Sequence, residues 1–168
     1  MTVLAWLLGL MLPACAAVGA HGLPPPVLRD FTHLVRPASP NTALAAPAGF
    51  VPVPDVITPV YPVPQAVLFA ALRRLAGGQE RTFLAASFPA QGQIDWVVRS
   101  AVWNFPDLVT AQVLPDGARS RGSTSSRLIL YSRSVYGYGD FGVNRRRLQT
   151  WLAALQAVLA ASKPPASP

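Results

Sequence analysis

Apolar residues recur at helical spacing in two stretches of the chain, and shorter strand-like stretches lie between them. The first helix is predicted over residues 62–75, because Pro64 suits a first turn and Gly77 with Gly78 ends the pattern. The second is predicted over residues 141–161. Its apolar stripe consists of Leu148, Trp151, Leu152, Leu155 and Leu159. Each helix therefore has one face to bury against another element.

Four strand-like stretches follow the first helix, at residues 81–88, 93–105, 107–114 and 126–135. Only a few turn residues separate the first three, and such short connections favour antiparallel neighbours. A shorter strand near residues 56–60 completes the order βαββββα. This order predicts an α+β fold in which an antiparallel sheet of four to five strands has both helices packed on one face.

Composition divides the chain into four parts. Residues 1–20 are predicted to be a signal or lipoprotein leader, and residues 21–54 a proline-rich arm or linker, because proline interrupts helices. Residues 55–162 are predicted to form a single α+β domain, and residues 163–168 a disordered tail.

The leader contains an apolar run at residues 3–12, which is shorter than the roughly 20 residues that span a bilayer. Such a run is typical of a secretory signal. Residues 12–15 (Leu-Pro-Ala-Cys) resemble a bacterial lipobox, which makes Cys15 a candidate for lipidation. A cleaved signal and a retained N-terminal anchor are the alternatives. Each predicts an exported protein, either periplasmic or a membrane-anchored lipoprotein.

The net charge is +7, and Lys163 is the only lysine among the 14 basic residues. Arginine-rich composition with little lysine is typical of a GC-rich genome. A basic balance also attracts anionic partners such as phospholipid head groups. Because the leader predicts export, nucleic acid is not expected as a partner.

Few side chains suited to catalysis lie in the predicted domain. The only cysteine is Cys15, and the only histidines are His21 and His33. Residues 55–162 therefore offer no thiol nucleophile, no imidazole base and no thiolate or imidazole metal ligand. The few carboxylates have no spacing typical of paired acid and base catalysis. We expect no catalytic residues, no metal and no cofactor.

Before the last helix, Gly137, Gly139 and Gly142 predict a tight turn. Asp140 stands where a helix N-cap is expected. The alternative is a helix N-terminus that binds an anion together with Arg145. Helical spacing places Asn144 four residues before Leu148, on the inward stripe, where a buried amide needs hydrogen-bond partners.

Alternation along the second and fourth predicted strands leaves both faces of the sheet substantially apolar. The face away from the helices is predicted either to be covered by residues 30–54 or to form a pocket. In the second case Arg99, Tyr131 and Arg133 would lie at the rim of that pocket. These three residues and Arg145 are the candidate ligand-binding residues.

Residues 130–144 (LYSRSVYGYGDFGVN) resemble the C-terminal signature of the family called domain of unknown function 1499. Residues 39–41 (Ser-Pro-Asn) and the Phe-Pro-Asp corner at residues 105–107 resemble two further elements of that family. Many relatives have cysteines near the Ser-Pro-Asn element, whereas Thr42, Ala43 and Leu44 follow it here. The resemblance implies a fold and an exported location, and no activity.

These observations favour a non-catalytic, membrane-proximal extracytoplasmic domain that binds an amphipathic or anionic small molecule. The alternative is a structural or assembly factor that docks onto a membrane protein complex through aromatics such as Tyr136 and Tyr138. A hydrolase-type enzyme ranks last. In each case the protein would meet the membrane through a lipid or an N-terminal anchor.

Overall fold

The computed structural model describes residues 13–117 and 124–161. Two predicted features lie outside the described residues: the apolar run at residues 3–12 and the tail at residues 163–168.

Six strands of the described residues form one sheet. They are β1 Thr42–Ala46, β2 Val56–Ile57, β3 Thr82–Phe88, β4 Gln93–Arg99, β5 Pro106–Pro115 and β6 Ser126–Ser134. Their order across the sheet is β2-β1-β6-β5-β4-β3. Strands β3, β4 and β5 are antiparallel neighbours, as their short connections predicted, and β6 pairs antiparallel with both β5 and β1.

The sheet departs from the prediction of four to five antiparallel strands, because it has six strands and β1 pairs with β2 in parallel. The additional strand, β1, lies inside the segment predicted to be a proline-rich arm. Its Ala43 and Ala45 face the helices, while Leu44 and Ala46 face the opposite side. A strand buried on both faces shows no alternation of polar and apolar residues. The sequence pattern therefore did not reveal it.

Three α-helices occur among the described residues: α1 Pro13–Ala16, α2 Gln65–Gly77 and α3 Val143–Ala161. The two long helices were predicted, and they share one face of the sheet. Leu68 and Leu72 of α2 and Leu148 of α3 are fully buried there. Trp151 of α3 meets Trp96 of β4 edge to face, with ring centroids 5.6 Å apart. Aromatic pairs prefer this geometry.

On the opposite face, residues that precede β1 cover the middle of the sheet. Phe31 and Leu34 are buried against Ile129 and Tyr131 of β6. Over β1 and β6, residues of the chain itself therefore cover this face of the sheet, which is the first of the two predicted alternatives. Farther along the same face, over β4 and β5, the covering is incomplete and a cavity remains.

Candidate functional site

A cavity of about 250 Å³ lies between the sheet and residues 20–29, which we call the wall segment. The wall segment contributes Ala20, Leu23, Pro24, Pro25, Pro26, Val27 and Arg29 to its lining. The sheet contributes Ala85, Asp95, Trp96, Val97, Leu108, Val109, Thr110 and Arg133. Prolines keep the wall segment extended, because they cannot continue a helix or donate a backbone hydrogen bond. The lining is thus mostly apolar, with three charged side chains.

Strand pairing determines which side chains form the cavity floor. Asp95 lies opposite Thr110, and Leu108 lies opposite Arg133. Directly opposed residues have neighbouring side chains on one face of a sheet. The register therefore brings a carboxylate on β4 and a guanidinium on β6 to the same cavity, with β5 between them.

The wall segment is attached to the sheet through Arg29. The side-chain amide of Gln93 accepts from Arg29 N at 2.8 Å and donates to Arg29 O at 2.9 Å. The Arg29 guanidinium lies over the Tyr131 ring, 5.4 Å from its centroid, in a cation–π arrangement. Tyr131 thus supports a cavity-lining arginine from below and does not itself line the cavity.

Asp95 is 8 % exposed, and its Oδ2 has no hydrogen-bond partner among the described residues. Burial raises the pKa of Asp95, although a hydrogen bond with Thr110 and the charge of Arg29 act in the opposite direction. A buried carboxylate oxygen without a donor destabilises the fold. The carboxylate is therefore suited to accept a hydrogen bond from a bound molecule.

Arg133 is the second unusual charge in the cavity. Burial lowers the pKa of Arg133, and repulsion from Arg29 lowers it further. Two guanidinium groups close to one carboxylate leave an excess of positive charge beside apolar walls. Such a site can bind an anionic group and shelter an apolar body attached to it.

Replacing Asp95 by asparagine should raise the free energy of unfolding by about 1 kcal/mol at pH 7, because the buried charge is removed. The raised pKa means that folded Asp95 keeps its proton above the ordinary value of 3.8. The contribution of Asp95 to stability should therefore fall as pH rises above about 4, and Asp95→Asn should lack this contribution to the pH dependence.

Urea unfolding of refolded protein at several pH values measures the effect of Asp95→Asn. Glu80→Gln is the matched control, since Glu80 is exposed. Equal pH dependence in Asp95→Asn and the unmodified protein would contradict a buried, destabilising carboxylate.

Arg99 holds residues 14–21, which we call the N-terminal segment, against the end of β4. Its guanidinium donates to the carbonyls of Ala14, Gly19 and His21 at 2.7–2.8 Å and to that of Asn104 at 3.1 Å. Burial lowers the pKa of Arg99. Its donors serve the chain's own carbonyls, and it lies outside the cavity lining, so the structure does not bring it together with Arg133.

Cys15 lies within the N-terminal segment and is fully buried. Its carbonyl accepts from Asn104 Nδ2 at 2.6 Å. Burial raises the pKa of the Cys15 thiol more than the Arg99 charge lowers it. A lipid-modified Cys15 would not fit this position, so lipidation would require the N-terminal segment to leave the body of the protein.

A polar network, which we call the signature cluster, joins Asn41, Asp107, Ser132, Asn144 and Arg147. Asn144 is fully buried; its Oδ1 accepts from Ser132 and Arg147, and its Nδ2 donates to the Asn41 carbonyl at 3.0 Å. Arg147 also pairs with Asp107 at 2.6 Å, and both side chains are 12 % exposed. Asn144 therefore ties α3 to β6 and to the residue before β1, and Arg147 ties α3 to β5 through Asp107.

Asp140 caps α3, as predicted. Its carboxylate accepts from Gly142 N at 2.9 Å and from Asn144 N at 2.8 Å. Gly137 and Gly142 have φ values of 86° and 74°, which residues with a side chain rarely adopt. Because a carboxylate already occupies the helix N-terminus, the alternative of an anion bound there is disfavoured. Arg145 is exposed and makes only a 3.4 Å contact with the Asp55 carbonyl.

The sequence matches the family model described as "Protein of unknown function (DUF1499)" over residues 35–155, which is most of the chain. The chain belongs to this family. The search of curated proteins finds no match. Among solved structures, the chain is similar to TTHA0849 from Thermus thermophilus, with a TM-score of 0.32 and 15 % identity over 73 % of this chain and 99 % of that one. The family model identifies the family and names no function. The function of this protein is therefore inferred from the geometry of its cavity.

The three elements that carry the DUF1499 resemblance meet in the signature cluster. Asn41 belongs to the Ser-Pro-Asn element, and its Nδ2 donates to the Gly137 carbonyl at 2.7 Å. Asp107 belongs to the Phe-Pro-Asp corner, and Asn144 belongs to the C-terminal signature. The hydrogen bonds between Asn144 and Asn41, and the link from Asn144 through Arg147 to Asp107, indicate that these elements hold this fold together.

The cavity contains two charged residues, Arg29 and Asp95, that the sequence pattern did not single out as ligand-binding. Asp95 could have been found as the one carboxylate of β4, where it lies between Ile94 and Trp96. No local signal marked Arg29, because its place depends on contacts with Gln93, 64 residues away.

Within residues 13–117 and 124–161, no group of three or more His, Cys, Asp or Glu residues could hold a metal ion. The helices in these ranges do not combine the length and hydrophobicity that a membrane span requires. The cavity is therefore the feature from which we infer function.

Proposed function

We propose that this protein is a non-catalytic, membrane-proximal extracytoplasmic domain that binds a small amphipathic molecule with an anionic head group. The observation that carries the proposal is the cavity beneath the wall segment, where Arg29 and Arg133 stand beside apolar walls. The apolar part of the ligand would contact Leu23, Val27 and Leu108, and its anionic group would lie between the two arginines.

Electrostatics favours a ligand of this kind. A guanidinium removed from water without a counter-ion costs free energy, and a bound anion restores the lost interactions. The unpartnered Oδ2 of Asp95 adds a preference for a hydroxyl or ammonium donor near the anionic group. The cavity volume of about 250 Å³ is close to the lower end of small-molecule sites, which favours a short chain or a single ring.

The lining supports binding more than catalysis. Among its described residues Asp95 is the only carboxylate and Thr110 the only hydroxyl. Nucleophilic catalysis requires a base that activates the hydroxyl. An Asp95 whose pKa is raised by burial and which stands beside guanidinium groups provides hydrogen bonding and charge, without an activated nucleophile.

Native mass spectrometry of the full-length protein, gently extracted from its own membranes, tests this function. We expect a reproducible mass excess that disappears on denaturation. Replacing Arg133 by glutamine should lower the bound fraction at least tenfold, since a hydrogen bond to a charged group contributes about 1.5–3 kcal/mol.

Arg73→Gln is the matched control, because Arg73 is exposed on α2 and should leave the mass excess unchanged. A bare protein mass would overturn the binding proposal and shift the proposal to a structural or assembly factor on a membrane protein complex. An excess that persists in Arg133→Gln would place the ligand elsewhere.

A further inference from the structure

Exposed aromatic and aliphatic side chains gather at one end of the sheet. There β4 turns into β5 and β6 leads into α3. Val102 is 59 % exposed, Trp103 40 %, Tyr138 76 % and Phe141 97 %. Phe105 connects the two turns, with ring centroids 6.3 Å from Trp103 and 6.4 Å from Tyr136. We call this surface the aromatic end.

Phe141 is the most unusual residue of the aromatic end. Its φ is 53°, a left-handed conformation that bulky residues seldom adopt, while its side chain is 97 % exposed. Glycine would suit this backbone better, and the fold gains no packing from the ring. Backbone strain at a residue whose side chain adds no packing to the fold indicates that the side chain has a function.

Two arginines follow Phe141 closely in the chain, and Arg146 donates to the Phe141 carbonyl at 2.8 Å. Arg145 and Arg146 are exposed in the first turn of α3, where no acidic residue lies. Cations at a helix N-terminus are unfavourable, because the helix dipole is positive there. Asp140 is used in capping, and Asp107 is paired with Arg147. The remaining positive charge therefore favours an external anionic surface.

The first residues of the N-terminal segment lie beside the aromatic end. Arg99 holds the Ala14 carbonyl at 2.7 Å, and Asn104 of the β4–β5 turn holds the Cys15 carbonyl at 2.6 Å. In the sequence, the apolar run at residues 3–12 comes directly before this segment. Trp103, next to Asn104, thus stands beside the point where the chain arrives from that run.

We propose that the aromatic end lies on the surface of an anionic lipid bilayer. Tyr138, Phe141 and Trp103 enter the head-group region, where aromatic rings accumulate, and Arg145 and Arg146 contact lipid phosphates. This inference deepens the membrane-proximal placement within the proposed function by naming the surface that faces the lipid. It does not depend on the cavity.

Spin labelling of the full-length chain in a Cys15→Ser background tests the orientation. Nitroxides at Tyr138→Cys or Phe141→Cys are measured on vesicles of phosphatidylglycerol and phosphatidylcholine. Gln91→Cys is the control, since Gln91 is exposed in the turn between β3 and β4, at the opposite end of the sheet. We expect collision with a water-soluble nickel complex to be at least threefold lower at positions 138 and 141 than at 91.

Equal nickel accessibility at positions 138, 141 and 91 overturns the proposal. If the two labels are then immobilised only in native membranes, the aromatic end docks on a protein instead. On phosphatidylcholine vesicles alone, or with Arg145→Gln and Arg146→Gln, the shielding at position 138 should weaken. If the shielding at position 138 is unchanged on phosphatidylcholine vesicles, or unchanged when both arginines are replaced, the proposal that the lipid surface must be anionic is overturned.

A Phe141→Gly variant separates membrane contact from folding. Because φ at this position is 53°, its melting temperature should be unchanged or higher, while the shielding of a label at position 138 should fall. A lower melting temperature would show that the ring acts in folding and would overturn its role at the membrane. The mass excess should persist in this variant, so failure here is distinguishable from failure of ligand binding.

Discussion

Replacing Asn144 by alanine should lower the free energy of unfolding by about 3 kcal/mol. The amide is fully buried, and the change leaves the Ser132 hydroxyl without its acceptor and the Ser134 hydroxyl without its donor. The Asn41 carbonyl loses one of two donors and keeps the Ser134 N–H. It also removes an acceptor of Arg147, whose guanidinium must then be satisfied by Asp107 and Ser132 alone. Each buried polar group left unpaired costs about 1–3 kcal/mol, more where a charge is involved.

Urea unfolding followed by tryptophan fluorescence measures this change, because Trp96 and Trp151 are buried together in the core. Gln149→Ala is the control on the exposed side of the same helix, with an expected change within about 0.5 kcal/mol. A loss of less than about 1 kcal/mol in Asn144→Ala would show that the signature cluster is not the principal tie between α3 and the sheet.

The second large effect is expected from Arg99→Met. Its guanidinium is the common donor to the Ala14, Gly19 and His21 carbonyls, so its loss should release the N-terminal segment. Cys15 is the only cysteine of the chain and is fully buried, which makes its reactivity a direct measure of release. Loss of about 2 kcal/mol of local stability should accelerate maleimide labelling of Cys15 about thirtyfold.

Arg74→Met is the control for Arg99→Met, because Arg74 is exposed on α2 and should leave the labelling rate unchanged. Rapid labelling in the unmodified protein, equal to that in Arg99→Met, would show that the N-terminal segment already exchanges freely with solvent. Slow labelling in both would assign the anchoring to Asn104 instead, whose Nδ2 donates to the Cys15 and Ala17 carbonyls.

Location and ligand remain proposals, whereas the family prediction from sequence motifs is confirmed by the family match over residues 35–155. The motif residues were recognised because they are close in sequence and unusual in type. Their structure explains the pattern: Asp140 caps a helix, Gly137 and Gly142 need positive φ, and Asn144 needs partners in a buried position. These requirements are local, and local requirements leave motifs that a sequence displays.

The sequence by itself determined the two long helices, five of the six described strands and the inward position of Asn144, since each follows from periodicity, turn residues or capping. It also shows that residues 34–168 contain no cysteine and no histidine. The second predicted strand extended too far, to residue 105, because Val102 and Trp103 are apolar although they lie in an exposed turn.

Only the tertiary structure decided the rest. The parallel pairing of β1 with β2, the attachment of the wall segment through Arg29 and Gln93, and the clamp of Arg99 on Gly19 and His21 join residues far apart in sequence. Periodicity reports which face of an element is apolar, and it contains no information on which distant segment will cover that face. The cavity with its unpartnered Asp95 exists because the wall segment covers the sheet incompletely, and that is a property of the packed chain alone.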